Sequence, residues 1–177
     1  MAVFVERGFH DVTVEQAAHA VGISRATFFR YLGSKEEAVI FAVEYAGADY
    51  AAILRALPDD GVRGWALMRA TVEPTVRRVE LDPARQRSRL EVIDAEPSLR
   101  AKLAETRIGK VDRLVEALTE RIGDPLTARV LAAAGMAALD AAWSQWMLDP
   151  DADFRMTVDA VFTRLRAMEP GLQPLPA

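Results

Sequence analysis

Apolar residues recur three and four positions apart along most of the chain, which is the spacing of one face of an α-helix. Clusters of Pro, Gly and Asp interrupt this pattern, and no stretch alternates between apolar and polar residues as a half-buried strand does. At these breaks the prolines stand where they open the next helix or follow the last one. We therefore predict an all-α protein of about nine helices, over residues 3–8, 14–21, 25–31, 35–56, 62–80, 83–95, 98–122, 126–148 and 152–168, followed by a loose tail at 171–177.

Residues 13–37 contain two short helical patterns and the start of a third. Thr13 and Gln16 have the spacing of a capping box, and Gly22 ends the helix that they open. Ser24 is placed to cap the second helix. Two short helices joined at a glycine are typical of a helix-turn-helix, whose second helix enters the major groove of DNA. The apolar face of the first of these helices is formed by Val14, Ala17, Ala18 and Val21.

The second helix of this motif has two distinct faces. At 100° per residue, Phe28, Tyr31 and Leu32 share one face, which we expect to be buried. The face that we expect to meet DNA carries Ala26 and Arg30, flanked by Thr27 and Phe29. Ser34 and Glu37 form a second capping box, which places Lys35 in the first turn of a third helix, where the free backbone N–H groups favour a phosphate.

Charge is distributed unevenly along the chain. The net charge of −4 argues against general attraction to nucleic acid. From Gly22 to Lys35, however, the sequence has three basic residues and no acidic one, so we expect a positive field at the helix-turn-helix alone. The sequence has no cysteine, which excludes a disulfide framework and is in keeping with a reducing cytoplasm, and we find no signal peptide.

These residues resemble the DNA-binding part of the TetR family of transcriptional regulators. The similarity runs from Gly8 to about Val43 through Thr13, Ala18, Gly22, Ile23, Ser24, Thr27, Phe28, Tyr31, Leu32, Ser34, Lys35 and Glu36. It implies a DNA-binding domain over residues 1–45 and a helical ligand-binding and dimerisation domain over 46–177. The DNA-contacting residues implied are Thr13, Ser24, Arg25, Ala26, Thr27, Phe29, Arg30, Tyr31 and Lys35, with phosphate contacts assigned to Thr13, Tyr31 and Lys35.

Two departures from the family pattern bear on this interpretation. Phe29 stands where many relatives have tyrosine, so a hydrogen bond from that position to a phosphate is excluded. Only Met1 to Arg7 precede Gly8, fewer residues than the family usually has. Either a segment of the first helix is missing from this chain, or the protein binds DNA less firmly than its relatives.

The run from Val130 to Leu148 has a single charge, Asp140, and is long enough to span a membrane. Seven of its residues are alanine, which contributes little apolar transfer energy, and Asp140 is costly in a bilayer, so we interpret it instead as a helix buried by protein. Small residues that allow close approach of another helix are Ala133, Gly135, Ala137 and Ala141. The last predicted helix offers an apolar face of Phe154, Val158, Val161, Phe162 and Leu165. In the family, two such helices form a dimeric four-helix bundle; the alternative is an intrachain core.

The resemblance also implies a small-molecule pocket among the fifth to eighth predicted helices. Candidate lining residues are Trp65, Met68, Arg69, Val72, Arg89, Ile93, Leu114, Met136, Asp140 and Trp143. An ordinary core role is the alternative for each, and Asp140 could simply pair with Arg69 or Arg89. An anionic effector such as an acyl-coenzyme A could bind the arginines at 77, 78, 85, 87 and 89, or these could form a salt-bridged surface. The C-terminal half resembles regulators similar to the mycofactocin-system repressor, some of which answer to acyl-coenzyme A.

Catalytic signals are missing from the sequence. His10 and His19 are the only histidines, and no His-Glu-x-x-His motif is present, so we predict no enzyme activity, no metal and no cofactor. The expected function is that of a cytoplasmic, homodimeric transcriptional regulator that a small molecule releases from a near-palindromic operator, as a repressor. The alternative is a helical dimerisation or ligand-binding protein that does not bind DNA.

Overall fold

The computed structural model describes residues 1–45 and 48–168, and all of the regular elements in these ranges are helices. They are α1 (Ala2–Arg7), α2 (Val14–Ala20), α3 (Arg25–Leu32), α4 (Lys35–Tyr45), α5 (Tyr50–Ala56), α6 (Gly64–Leu81), α7 (Pro83–Asp94), α8 (Pro97–Ile122), α9 (Pro125–Leu148) and α10 (Phe154–Met168). The predicted all-α fold is confirmed over this part of the chain. The predicted tail at 171–177 lies outside the described residues.

The described chain has ten helices where the sequence predicted about nine. The predicted helix over residues 35–56 is two helices, α4 and α5. Asp49 is the N-cap of α5, and its side chain accepts a hydrogen bond from the backbone N–H of Ala52 at 3.2 Å. A residue that uses its side chain in this way satisfies a free donor of a new helix, so it favours a helix start over continuation of the old one.

The other predicted start and stop signals act largely as expected. Thr13 and Gln16 form the complete capping box of α2, and Gly22 takes the left-handed conformation with φ of 72°. At α4, the hydroxyl of Ser34 accepts a hydrogen bond from the N–H of Glu37 at 3.0 Å. The N–H of Ser34 donates to the carbonyl of Leu32 at 2.7 Å, and the carboxylate of Glu37 lies 3.6 Å from Nζ of Lys102, so the reciprocal bond of this capping box stays a prediction.

The described residues divide into two compact units. The first consists of Met1–Ala48 and Asp82–Gly109, and the second of Asp49–Leu81 and the described residues from Lys110 onward. Helix α7 and the first half of α8 therefore belong to the same unit as α1 to α4. The predicted division into functional domains at residues 45 and 46 stays a prediction.

The first unit has a core that all of its helices share. Phe28 from α3 is buried in it, and Ile93 from α7 and Leu99 and Leu103 from α8 close it. Because α1, α2 and α3 are too short to be stable alone, this shared core fixes their positions. Its other members are Phe4, Phe9, Val12, Ala17, Ala18, Ala38, Val39 and Ile40.

The second unit is built on α6, α9 and α10, which pack on one another. Gly135 lies at the point where α9 meets α6, because a Cβ atom there would come within 2.5 Å of the Met68 side chain. Gly135 therefore faces the core of this chain and allows the close approach of another helix that its small size predicted, and that helix is α6. Three residues of the predicted apolar face of α10 are buried in the same core: Phe154, Val158 and Phe162.

Glu73 is the centre of an ionic network between α6 and α10. Its carboxylate accepts hydrogen bonds from Arg155 at 3.0 Å, from Arg69 at 2.8 Å and from Arg77 at 2.9 Å. Partial burial raises the pKa of Glu73, but the three arginines outweigh this effect and lower its pKa to about 2. Glu73 therefore remains ionised in the folded protein at pH values where a solvated glutamate is protonated.

The network continues to two further carboxylates. Arg155 donates to Glu80 at 2.6 and 2.8 Å, and Arg69 donates to Asp159 at 2.6 Å. Each of these two arginines thus bridges Glu73 and a second acid, so α10 is tied to α6 by hydrogen bonds from both helices.

The lowered pKa of Glu73 predicts how stability depends on pH. The contribution of its ionised form is complete above pH 4.5, the ordinary pKa of a solvated glutamate, and is lost as the pH falls towards about 2. We expect Glu73→Gln to lower stability at neutral pH and to flatten the decline in unfolding free energy below pH 4.5. Urea unfolding at a series of pH values measures both effects. Glu116→Gln, at an exposed position of α8, is the matched control, and parallel pH profiles for Glu73→Gln and the native chain would contradict the prediction.

Candidate nucleic-acid interface

The exposed side of α3, with its N-cap, forms a continuous surface on the first unit, here called the recognition surface. Phe28 is buried beneath it and anchors the helix in the core. This arrangement confirms the predicted outward orientation of Ala26 and Arg30. The residues of the surface are Ser24, Arg25, Ala26, Phe29, Arg30 and Tyr31, with Thr27 half-buried at its edge.

Tyr31 is a correction to the predicted faces of α3. Its side chain is 72% exposed, although the helical projection grouped it with Phe28 and Leu32 on the buried side. Phe28 is buried in the core and Leu32 is partly buried, whereas Tyr31 lies at the edge of the buried face of α3. Its side chain therefore lies largely in solvent, and the phosphate contact that the family resemblance implies for it stays a prediction.

Two arginines of the recognition surface lie over aromatic rings. The guanidinium of Arg25 is 5.5 Å from the ring centre of Phe29, and that of Arg30 is 4.8 Å from the ring centre of Tyr31. A ring beneath a guanidinium attracts it and restricts its conformations while leaving its N–H groups able to donate. Phe29, which lacks the hydroxyl usual at this position, thus serves as a support for Arg25.

Arg25 also has an acidic partner that the linear sequence did not reveal. Its Nε atom lies 3.0 Å from Oε1 of Glu15, in the first turn of α2. The sequence from Gly22 to Lys35 contains no acidic residue, but in the folded chain the carboxylate of Glu15 lies beside it. Pairing between residues ten positions apart depends on how α2 and α3 cross, which the charge pattern alone does not show.

The hydroxyls of Thr13 and Ser24 are used to begin helices. Oγ1 of Thr13 accepts from the N–H of Gln16 at 3.2 Å, and Oγ of Ser24 accepts from the N–H of Thr27 at 3.1 Å. Ser24 also donates to the hydroxyl of Thr27 at 3.0 Å. These bonds position the first turns of α2 and α3, and contacts from these hydroxyls to DNA stay predictions.

Lys35 is tied to the protein itself. Its Nζ donates to the backbone carbonyls of Phe9 at 2.7 Å and Val12 at 3.0 Å, and it lies 4.1 Å from the ring centre of Phe9. The sequence predicted that this ammonium would face a phosphate; the structure uses it to hold the turn between α1 and α2 against the start of α4. No local signal predicts a bond between residues so far apart in sequence. A phosphate contact from Lys35 stays a prediction.

The predicted ligand-binding residues lie in both units. Arg89 and Ile93 belong to the first, where Ile93 is part of the core. Arg69 is engaged by Glu73 and Asp159. Within the second unit Met68, Val72 and Leu114 are fully buried and Trp65 is nearly so, whereas Arg69, Met136, Asp140 and Trp143 are partly exposed.

Trp143 belongs to an aromatic cluster at the turn between α9 and α10. Its ring centre lies 4.1 Å from that of Phe154 and 5.8 Å from that of Trp146. The indole of Trp146 donates to the carbonyl of Ala152 at 2.9 Å. Trp143 therefore has a packing role in this structure, and its ligand role is untested.

Two of the clustered arginines at positions 77 to 89 line a cleft between α1 and α7 in the first unit. Arg85, Ser88 and Arg89 form one side, and Met1, Ala2, Val5 and Glu6 form the other. The cleft has a volume of about 190 Å³, which is less than the several hundred Å³ typical of drug-sized ligands. Its size and its mixed charge do not suit an entire acyl-coenzyme A.

Helix α9 has an apolar side that the second unit leaves uncovered. By length and composition, α9 is the one helix in the described chain that could cross a membrane. Its opposite side is buried against α6 and α10. The uncovered positions recur at helical spacing: Leu126, Val130, Ala133, Ala137, Ala141 and Leu148 on α9, and Met156, Ala160 and Ala167 on α10.

The fold and the recognition surface together define a class: helix-turn-helix DNA-binding proteins with a second helical unit. Residues 1–39 match the family model for bacterial regulatory proteins of the tetR family. Residues 64–172 match the model for the MftR C-terminal domain. The second match covers more than half of the chain, so the chain belongs to the TetR family of transcriptional regulators, and both resemblances expected from the sequence are confirmed.

Individual relatives agree with this assignment. The chain is 25% identical over 181 residues to the HTH-type transcriptional regulator TcmR of Streptomyces glaucescens, covering 97% of this chain and 80% of that protein. It has the fold of the fatty acid degradation regulator FadR from Bacillus halodurans, with a TM-score of 0.60, 22% identity, and coverage of 93% and 89%. A structure from Pseudomonas aeruginosa PAO1 gives a TM-score of 0.61 at 20% identity, with coverage of 96% and 86%.

Proposed function

We propose that this regulator is a cytoplasmic homodimeric repressor, without enzyme activity, which leaves a near-palindromic operator when a small molecule binds its second unit. The observation that carries the proposal is the recognition surface, on which Arg25 and Arg30 project from a helix anchored by the buried Phe28. The alternative of a dimerisation module without DNA binding gives no reason for exposed arginines supported by aromatic rings.

Arg30 is the residue that we expect to contact a base edge. It is exposed on α3, and the ring of Tyr31 supports its guanidinium at 4.8 Å. A guanidinium in the major groove donates two hydrogen bonds to the O6 and N7 atoms of guanine. Arg25, Ala26, Thr27 and Phe29 complete the proposed base-facing set, and Thr13, Ser24, Tyr31 and Lys35 the phosphate-facing set.

Replacing Arg30 tests DNA recognition. Arg30→Ala should cost about 1 to 3 kcal/mol of binding free energy on the operator and relax specificity at the contacted base pair. The operator is first selected from random duplexes by the purified protein, and fluorescence anisotropy then measures affinity. Arg113→Ala, an exposed arginine of α8 in the second unit, is the matched control. Unchanged affinity and base preference in Arg30→Ala would show that the recognition surface is wrongly assigned.

The uncovered side of α9 is proposed as the main dimer contact, together with the exposed side of α10. Its alanines at 133, 137 and 141 allow the backbones of two helices to approach closely, and Leu126 and Val130 add apolar area. A dimer also fits the DNA chemistry, because two recognition helices that bind half-sites about one helical turn apart supply the specificity that one lacks. Symmetry then makes the operator near-palindromic.

A charge on this surface should separate the subunits. Ala137→Glu places an unpaired carboxylate at the proposed contact, so we expect monomers in sedimentation velocity and weak operator binding. Ala137 is preferred to Val161 as the site of change because it is exposed, whereas Val161 is half-buried in its own chain. Ala104→Glu, at an exposed position of α8, introduces the same charge elsewhere. A dimer of normal stability in Ala137→Glu would place the interface on another surface.

For the effector we propose a long-chain acyl-coenzyme A or another ligand with an apolar chain. The support is the apolar interior formed by Trp65, Met68, Val72 and Leu114, together with a fold shared with a fatty acid degradation regulator. Because Met68, Val72 and Leu114 are fully buried, they must separate to admit a chain, so binding selects a different arrangement of the second unit. Arg69, Met136, Asp140 and Trp143 are the partly exposed members of the proposed site, and Arg89 and Ile93 remain candidates.

Titration with palmitoyl-coenzyme A tests this choice. If palmitoyl-coenzyme A binds the DNA-incompetent arrangement more tightly, it must lower the affinity of the protein for the operator. By linkage, the operator must then lower the affinity of the protein for palmitoyl-coenzyme A by the same factor. Tryptophan fluorescence measures binding of the ligand, and fluorescence anisotropy measures binding of the DNA. Free coenzyme A and palmitate are titrated as separate arms. We expect Met136→Trp, at a half-exposed position, to weaken the response while operator binding without ligand is retained. No effect of palmitoyl-coenzyme A on the affinity for DNA, and no binding of it, would contradict a long-chain acyl-coenzyme A as the effector, and the palmitate arm tests a ligand that has the apolar chain alone.

A further inference from the structure

We propose that Lys35 is a positioning residue of the DNA interface, which orients Thr13 for a contact to phosphate and makes no such contact itself. This inference rests on the proposed DNA-binding function. Lys35 is the first residue of α4, and its partly buried side chain lies against the turn between α1 and α2, residues 8–13. Thr13 is the exposed N-cap of α2 at the end of that turn.

The ammonium of Lys35 is already surrounded by partners from its own chain. It carries three N–H groups and no acceptor. Nζ donates to the carbonyls of Phe9 at 2.7 Å and Val12 at 3.0 Å, and the centre of the Phe9 ring lies 4.1 Å from it. Two carbonyls and a ring are three partners for three N–H groups. Turning Nζ to a phosphate would break two charge-assisted hydrogen bonds, so a direct contact is unfavourable.

The bond to Val12 bears directly on Thr13. The carbonyl of Val12 and the N–H of Thr13 belong to one planar peptide group. Nζ of Lys35 holds the oxygen of this group at 3.0 Å, and Oε1 of Gln16 accepts from its N–H at 2.9 Å. A peptide group held at both ends keeps its orientation, and with it the direction in which the side chain of Thr13 leaves the backbone.

The position of the turn does not depend on Lys35 alone. Phe9 and Val12, whose carbonyls Lys35 binds, have their side chains buried in the shared core of the first unit. These side chains fix where the turn lies, so the two bonds from Lys35 act chiefly on how its peptide groups are oriented. An effect on DNA binding is therefore expected beyond the effect on stability.

Thr13 retains a donor for DNA in this arrangement. Its Oγ1 atom accepts from the N–H of Gln16 at 3.2 Å, which uses a lone pair and leaves the hydroxyl proton to donate. A hydrogen bond weakens steeply as it departs from linearity, so this hydroxyl must be aimed at its phosphate oxygen. Lys35 thus belongs to the proposed phosphate-facing set through Thr13.

Lys35→Met distinguishes positioning from direct contact, because methionine keeps much of the side-chain length but neither the donors nor the charge. We expect affinity for the duplex selected by the native protein to fall about tenfold, with the slope of log affinity against log salt concentration unchanged. Loss of a direct phosphate contact would instead reduce the magnitude of this slope by about one unit. Lys110→Met in the second unit removes the same charge and should change neither quantity.

The Thr13→Ala background tests the route. Without the hydroxyl of Thr13 there is no donor to orient, so adding Lys35→Met should lower affinity much less than it does in the native chain. Melting curves, and titration of the active fraction with the selected duplex, ensure that each affinity is that of folded protein. Equal losses in both backgrounds, or a slope reduced by about one unit in Lys35→Met, would overturn the inference while leaving DNA binding intact.

Nuclear magnetic resonance of the native chain tests the same point without replacing Lys35. The chain has three lysines, so the ammonium signals lost in Lys102→Met and Lys110→Met identify the third as that of Lys35. We expect this signal to exchange slowly with water in the free protein and to persist with the selected duplex, without through-bond coupling to phosphorus. Such a coupling would overturn the inference. Failure of the native protein to enrich any duplex would instead overturn the proposed function, and this inference with it.

Discussion

The first three helices of the first unit, which is called the DNA-binding head below, are too short to persist in water without a shared core. Helices α1, α2 and α3 have six, seven and eight residues, about two turns each, and helices of this length do not offset the cost of nucleation. Their stability comes from packing on Phe28 and its neighbours, and that core is closed by Ile93, Leu99 and Leu103. The recognition surface is therefore held in place partly by residues about 70 positions further along the chain. The DNA-binding head is a larger structural unit than its family motif.

Within that unit, charged groups are used as much for internal positioning as for an external ligand. Lys35 fixes the turn between α1 and α2 through two backbone carbonyls. Arg25 is held by Glu15 and Phe29. Hydrogen bonds from a charged group to carbonyls are stronger than neutral ones, so a lysine typical of the motif has a structural reason to be there besides DNA. A basic residue in a recognition motif is thus not by itself evidence of a phosphate contact.

Local signals in the sequence predicted the helices and their caps well. Thr13, Ser24 and Gly22 act through neighbours within three or four positions, and such bonds can be deduced from spacing alone. The contacts that were missed join distant residues: Lys35 with Phe9, and Glu15 with Arg25. These depend on crossing angles set by the core. The break before α5 was different in kind, since Asp49 is a local cap signal, and a long apolar pattern on both sides obscured it.

The contact between Gly135 and Met68 has a consequence for how the second unit can vary. A Cβ atom at position 135 would come within 2.5 Å of the terminal methyl group of Met68, so any residue other than glycine there requires the Met68 side chain to move. Methionine is adaptable and can withdraw from a methyl group, but not from a branched side chain in a packed core. Among related chains, the identities of positions 68 and 135 should therefore change together. A larger residue at position 135 combined with a smaller one at position 68 would preserve the separation of α9 and α6. Either substitution alone would leave a clash or a cavity between the two helices.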